Sequence, residues 1–350
     1  VKSTNRGESW TEISPDLTTN DPAKTANRGG GDGNIQACTI TFLDESPLAA
    51  GVLWVGTDDG LVWVTKDDGK NWSKVSDKIA GNPGYWVSRV AASPSDPAVG
   101  YVAYSGFRND DFRPFLYKTS DYGATWTSIS GNLPQATVNV IREDPTNPDL
   151  LFAGTDGAVY VSFDGGKAWT KMQANMPAVP IHDLQIHPRE KDLIVATHGR
   201  SVWIADISAL EEINAQVLAR DVHLFDLQPG YLWSEFLLKE AYSPSVSFAG
   251  MSEPTGIPIN YYLKKKPQGE VTIQIHQGAV KITEIKGTAE AGLNSVLWPM
   301  NKGQAAGAAV PARRIRPAFV GEGVYKVTLT VDGKAVTGMA EVRRDPGVVK

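Results

Sequence analysis

The stretch Gly106-Phe-Arg-Asn-Asp-Asp-Phe-Arg-Pro114 sets Asp110 and Asp111 between Arg108 and Arg113. A carboxylate can move a proton at a reacting oxygen, and a guanidinium fork can clamp an anion. Glycoside hydrolysis needs two such carboxylates, about 5–5.5 Å apart for retention or about 6.5–9.5 Å for inversion. Asp156 and Asp58, with Asp59 beside it, are the other acids from which a pair could be drawn. The same loop also reads as a self-paired brace of salt bridges between neighbouring structural units. Thr197-His198-Gly-Arg200 offers Arg200 as a bidentate anion site, or a plain hydrogen bond between neighbours. His182 and His187 on one strand would face opposite sides and do not suggest a metal pair. The arginine cluster, Tyr nucleophile and Glu of a retaining sialidase cannot be assembled, and no phosphate loop, nucleophile elbow or thiol site appears. Neither a metal nor a cofactor is expected.

The scaffold that must hold these residues shows itself as a repeat. The octet Ser/Thr-x-Asp-x-Gly-x-x-Trp occurs as Thr65-Lys-Asp67-Asp-Gly-Lys-Asn-Trp72, Thr119-Ser-Asp121-Tyr-Gly-Ala-Thr-Trp126 and Ser162-Phe-Asp164-Gly-Gly-Lys-Ala-Trp169. A variant, Ser3-Thr-Asn5-Arg-Gly-Glu-Ser-Trp10, carries Asn for Asp. The pattern suits a tight turn. Gly takes a positive φ at the reversal, Asp or Asn holds nearby N–H groups, and Trp opens the next strand. These Asp, Asn and Trp residues are therefore read as structural staples. Ahead of the octets run paired apolar segments, as at 53–64 and 151–161. Upstream of these lie strands ending in Pro94, Pro145 and Pro188. Four short strands in a period of roughly 40–60 residues mark a β-propeller blade, with the octet as its last turn.

Three whole blades fit 35–75, 86–129 and 137–172, and the first three strands of another fit 180–207. Residues 1–13 supply a lone octet turn and an outer strand. That strand could close a four-bladed ring. The preferred reading is a share of a larger propeller whose other blades lie elsewhere. A chain that opens at Val1, almost on an octet, is expected to be processed or part of a longer one. Blade topology gathers Asp58, Asp59, Arg108, Asp110, Asp111, Arg113, Asp156, His198 and Arg200 on one rim. Ser88, Asn139 and His182 take matching places at the start of the innermost strands. A ligand is expected there, on loops carried by a rigid scaffold, with Trp86 or Tyr85 placed to stack on a sugar ring.

Composition agrees with an all-β chain: 350 residues hold 34 Gly, 22 Pro and 10 Trp. A net charge of -5 speaks against a nucleic-acid partner, and Cys38 alone forms no internal disulfide. No apolar run approaches the ~20 residues of a membrane helix. Ser208-Ala-Leu-Glu211 reads as a capping box opening a helix over 208–218, followed by a connector to 240. A second β-unit, 241–346, follows, with strands near 257–263, 271–276, 280–285, 295–298, 323–331 and 335–342. Val331-Asp-Gly-Lys334 is a hairpin turn, 301–311 a mobile Gly/Ala loop, and 347–350 a tail. Such strands suggest an Ig-like or fibronectin-like sandwich.

The octets resemble the Asp-box, or BNR, repeats of bacterial glycosyl-hydrolase-like and sortilin/VPS10-like propeller proteins. So do Trp86-Val-Ser-Arg-Val90, the loop 107–114, Val138-Asn-Val-Ile-Arg-Glu-Asp-Pro145 and Thr197-His-Gly-Arg200. The runs 292–298 and 323–327 resemble the FlgD-type Ig-like domain that follows such propellers. The resemblance spans about 1–346. It implies Asp-box β-propeller blades followed by an Ig-like sandwich, in a secreted, periplasmic or cell-surface protein. It speaks for fold and not for activity, since such repeats occur in sialidases, xyloglucanases, receptors and assembly factors alike. Two functions follow. One is a non-catalytic extracellular or cell-envelope binding and assembly module, presenting the rim to a glycan or protein partner. The other is a glycoside hydrolase acting on a polysaccharide through rim carboxylates. Paired carboxylates in an open groove would favour the enzyme; carboxylates bonded to Arg108 and Arg113 would favour the module. The remaining blades are the expected partner, with no nucleic acid and no membrane insertion.

Overall fold

A computed structural model describes residues 1–25, 37–172, 175–233, 255–302 and 318–347. The chain divides into two units, Val1–Glu211 and Glu212–Lys350.

The first unit is a succession of antiparallel meanders. Sheet I is β1 (Ile40–Glu45), β2 (Leu53–Thr57), β3 (Val62–Thr65) and β4 (Ser73–Lys74). Sheet II is β5 (Trp86–Ala92), β6 (Gly100–Gly106), β7 (Asp111–Thr119) and β8 (Thr127–Ser128). Sheet III is β9 (Val138–Glu143), β10 (Leu151–Thr155), β11 (Val159–Ser162) and β12 (Thr170–Lys171). Sheet IV has three strands, β13 (Ile181–His187), β14 (Asp192–Thr197) and β15 (Val202–Asp206). The arrangement is all-β and propeller-like. Strands β2 and β10 are buried along their whole length, while the two-residue strands β4, β8 and β12 are exposed. The reason is that each sheet packs its faces on its neighbours, so inner strands read as continuous apolar runs. One core joins Trp54, Val62 and Val64 of sheet I to Val87, Val90 and Val102 of sheet II. Others join sheet II to III, and III to IV.

Each octet is a hairpin in one common register. Val64 faces Ser73, Lys118 faces Thr127, and Val161 faces Thr170. Lys2 faces Thr11 in the same way as an isolated bridge. The first hydroxyl and the third-position side chain do the work expected of a turn. In the second octet Thr65 Oγ1 accepts the Gly69 N–H at 3.0 Å, and Asp67 Oδ1 accepts the Asn71 N–H at 2.9 Å. Asp121, Asp164 and Asn5 repeat that second bond to Thr125, Ala168 and Ser9. The tryptophans reach sideways to the preceding hairpin. Trp72 Nε1 donates to the Ile13 carbonyl and Trp169 Nε1 to that of Ile129, each at 2.8 Å. Trp126 instead meets Trp54 edge-on at 6.1 Å, and Trp10 is 62 % exposed.

Residues 1–13 pack through Ile13 on the octet of sheet I. Among the described residues no backbone pairing joins them to β15, whose Val202 and Ile204 are exposed. The strand exchange that would close a four-bladed ring is not formed. The expected single helix over 208–218 is two short turns, Ser208–Glu211 and Ala215–Ala219. Asn214 ends the first by capping the second, accepting the N–H groups of Gln216 and Val217.

The second unit has two sheets. One is β16 (Val222–Leu224), β18 (Ile257–Leu263) and β21 (Gly292–Trp298). The other orders β17 (Gly230–Leu232), β23 (Lys334–Arg344), β22 (Gly323–Val331), β19 (Thr272–Gln277) and β20 (Val280–Lys286). Alternate residues Ile257, Ile259, Tyr261 and Leu263 share one core with Ile273, Ile275, Val327 and Leu329. Asp332 and Gly333 take positive φ at the β22–β23 turn, as a tight hairpin requires. The connector drawn to residue 240 carries two strands of this unit, too short to show alternation. Residues 241–254 and most of 301–311 lie outside the described residues.

Two outcomes follow. Gly123 has φ +80, and a Cβ there would lie 2.8 Å from Val75 Cβ of the preceding sheet. Gly81, at φ +73, has open space around it. In urea unfolding, Gly123→Ala should cost about 2–4 kcal/mol and Gly81→Ala about 1 kcal/mol; equal losses would deny the packing role. Hydrogen bonds from Asn71 and Thr125 hold Asp67 and Asp121 at about 2, below their ordinary 3.8. Their stabilisation is present above the unfolded value and is lost as pH falls through the folded one. The Tm of the chain should therefore drop towards pH 2, and the difference from D67N/D121N should close over that window.

Candidate functional site

All four innermost strands slip by one residue at the same place. Pairing skips Thr41 in β1, Ser88 in β5, Asn139 in β9 and His182 in β13. A β-bulge turns the extra residue out of the ladder and re-aims its side chain. Two of these side chains tie one sheet to the next. Thr41 Oγ1 donates to the Val87 carbonyl at 2.8 Å, and Ser88 Oγ to the Val138 carbonyl at 2.6 Å. Asn139 Nδ2 turns to Asp156 Oδ1 at 2.8 Å, and the His182 ring lies 5.0 Å from that of His198.

Ser88, Asn139, Asp156, His182 and His198 border a cavity of ≈ 880 Å³. Its wall joins the aromatic rings of Phe42, Trp86, Phe107 and Phe112 to Ser88, Asn139, Asp156, His182, His198 and Arg108. Phe107 and Phe112 are 60 % and 43 % exposed and meet edge-on at 5.9 Å. Among the described residues of the wall, Asp156 is the only carboxylate, and both its oxygens accept hydrogen bonds, from Thr137 and Asn139.

The loop of two arginines and two aspartates divides. Arg113 binds Asp111 through Nε at 2.9 Å and Nη2 at 2.6 Å, and Tyr85 adds a longer bond. Arg113 holds the Asp111 carboxyl at about 2, against the pull of desolvation. Arg108 takes no part in this pair; its guanidinium lies over the Trp86 ring at 4.1 Å. Asp110 takes a left-handed turn conformation and is exposed. Asp58 Oδ1 accepts the Thr39 N–H at 2.8 Å, and Asp59 accepts from Thr19 and Thr57. Burial pushes the Asp59 carboxyl up, but those bonds keep it below its ordinary value. Arg200 and Arg113 do not line the cavity, nor do Asp58, Asp59, Asp110 and Asp111. Of the rings expected to stack on a sugar, Tyr85 packs edge-on against Phe115 and Trp86 has Arg108 on one face.

Sequence reasoning missed the residues beneath. Arg89, one place beyond the bulge, is buried, donates to the His182 carbonyl at 3.0 Å and pairs with Asp183 at 2.9 Å. Arg142 shares Asp183 at 3.4 Å, and Arg89 also covers the Phe42 ring at 3.8 Å. Burial draws the Arg89 guanidinium down to about 10, with Asp183 opposing. The signal was an arginine inside an otherwise apolar strand.

A family model described as sortilin, neurotensin receptor 3, matches residues 115–212, from β7 to the end of the first unit. No curated protein matches the chain. Among solved structures it is similar to an ancestral GH74 enzyme, at 14% identity over 66% of this chain and 32% of that one, TM-score 0.38. It is also similar to the GH74 enzyme of Niastella koreensis, at 14% identity over 87% and 47%, TM-score 0.41. A third is the GH74 xyloglucanase from Xanthomonas campestris, at 11% identity over 89% and 48%, TM-score 0.40. The chain thus spans less than half the length of each. A sortilin-like segment lies within a propeller-like all-β unit. No helix of the described residues is long and apolar enough to cross a membrane.

Ser88→Ala should lower the unfolding free energy in urea by about 1–2 kcal/mol, because a buried bond between sheets is lost. Ser88→Thr should retain most of it, since Thr41 fills the same place in sheet I. An Ala variant as stable as wild type would deny the ladder its role.

Proposed function

We propose that the cavity at the bulged ends of the inner strands binds a saccharide chain. The observation that carries this is the exposure of Phe107 and Phe112 over a wall of hydrogen-bonding groups. A sugar ring has an apolar face for such rings and hydroxyls for Asn139, His182, His198 and Ser88. The volume suits a ligand of a few rings, since ligand sites run to about 300–1,000 Å³. The chain is read as a glycan-binding share of a larger Asp-box propeller, completed by further blades, with an Ig-like sandwich as its second unit. Its secreted, periplasmic or cell-surface setting rests on the family resemblance.

Hydrolysis of the bound chain is the second reading. It rests on Asp156, the carboxylate in the wall, with exposed Asp110 at the tip of the neighbouring loop. The two readings share the cavity and part at the chemistry. Affinity electrophoresis against a panel of polysaccharides should show retardation that F107A/F112A weakens about tenfold or more. Release of reducing ends by wild type, abolished in D156N, would establish hydrolysis. Retardation without release would leave binding. Capture of peptides and of no glycan would overturn both.

A further inference from the structure

We infer that the saccharide is acidic, its carboxylate held by Arg108. This rests on the saccharide reading of the cavity. Four ionic side chains follow one another in the loop, yet only Asp111 and Arg113 pair. Arg108 has no hydrogen bond or ion pair among the described residues. It lines the cavity and is held by its face against Trp86. Stacking uses the face of a guanidinium and leaves the N–H groups around its edge unspent. That edge matches a carboxylate bidentately, and a hydroxyl less well.

One carboxylate, Asp156, shares the wall with Arg108. Its oxygens accept hydrogen bonds from Thr137 and Asn139, and no ion pair joins it to Arg108 among the described residues. Asp111 is spent on Arg113. Arg108 keeps its N–H edge unpaired among the described residues, and the partner that edge fits is an anion. Phe107 and Phe112, on either side of it in the chain, supply the apolar surface a sugar ring needs. A uronic acid unit brings both features in one residue, a ring face and a carboxylate projecting from its edge.

The test is calorimetric titration of the whole chain with a short oligogalacturonate and with its methyl ester, which keeps the ring and removes the charge. The acid should bind about tenfold or more tightly than the ester. R108Q should erase that preference, so that acid and ester bind alike, and R108K should restore it only in part. Equal binding of acid and ester by wild type, or a preference that survives in R108Q, would overturn the inference while leaving saccharide binding intact. Failure of both oligomers and of the polysaccharide panel would remove the saccharide reading itself. An acidic peptide bound through Arg108, with no oligogalacturonate bound, would overturn the inference in favour of a protein ligand.

Discussion

Sheets set side by side round an axis must approach closely on the inside and fill a widening wedge on the outside. The first unit meets both demands with residue size. A Cβ on Gly56 would lie 2.4 Å from Val87 Cγ1, and one on Gly154 would lie 2.7 Å from Ile181 Cγ2. Both glycines sit in second strands, against the innermost strand of the next sheet. Toward the octets the gap is filled by Trp54, Trp126, Tyr101 and Trp169. Two octets then fasten the outer end, because Trp72 and Trp169 bond to the neighbouring hairpin rather than to their own. Small Gly56 and Gly154 and large Trp126 and Trp169 thus serve the same packing of sheet on sheet.

The octet was legible in the sequence because it repeats. Gly, Asp and Trp at fixed offsets have few alternative explanations, and the meanders between them follow from alternation and turn residues. The bulges were only half legible. A one-residue slip leaves no residue-type signature, although Ser88, Asn139 and His182 stand at equal distance from a Pro turn. Their shared place could be read; their re-aimed side chains could not. Strands β16 and β17 escaped because three residues show no period. Arg89 escaped for another reason: a charge inside an apolar strand is interpretable only once Asp183 and the His182 carbonyl are seen beside it.

The loop 106–114 shows where sequence reasoning stops. Two arginines bracketing two aspartates permit a full set of internal pairs, a clamp, or a catalytic carboxylate. Composition cannot choose among these, because the pairing depends on how the backbone turns. Here a short 3-10 turn, Phe107–Asn109, ends in a left-handed Asp110 and separates Arg108 from Asp111. One salt bridge forms, one arginine goes to an aromatic face, and one aspartate goes to solvent. Three different fates come from four residues that look equivalent in the sequence.

The same reasoning bears on chemistry at Asp156. A general acid must carry its proton on an oxygen that faces the leaving group, and a general base must have a lone pair aimed at water. Thr137 donates to one oxygen of Asp156 and Asn139 to the other. A carboxylate retains further lone pairs, so the base or nucleophile role stays open to it. Hydrolysis would then need its acid from outside the described wall of the cavity. The proposed binding draws on what the wall holds: exposed rings, hydrogen-bonding side chains of the bulges, and one arginine with its edge unpaired.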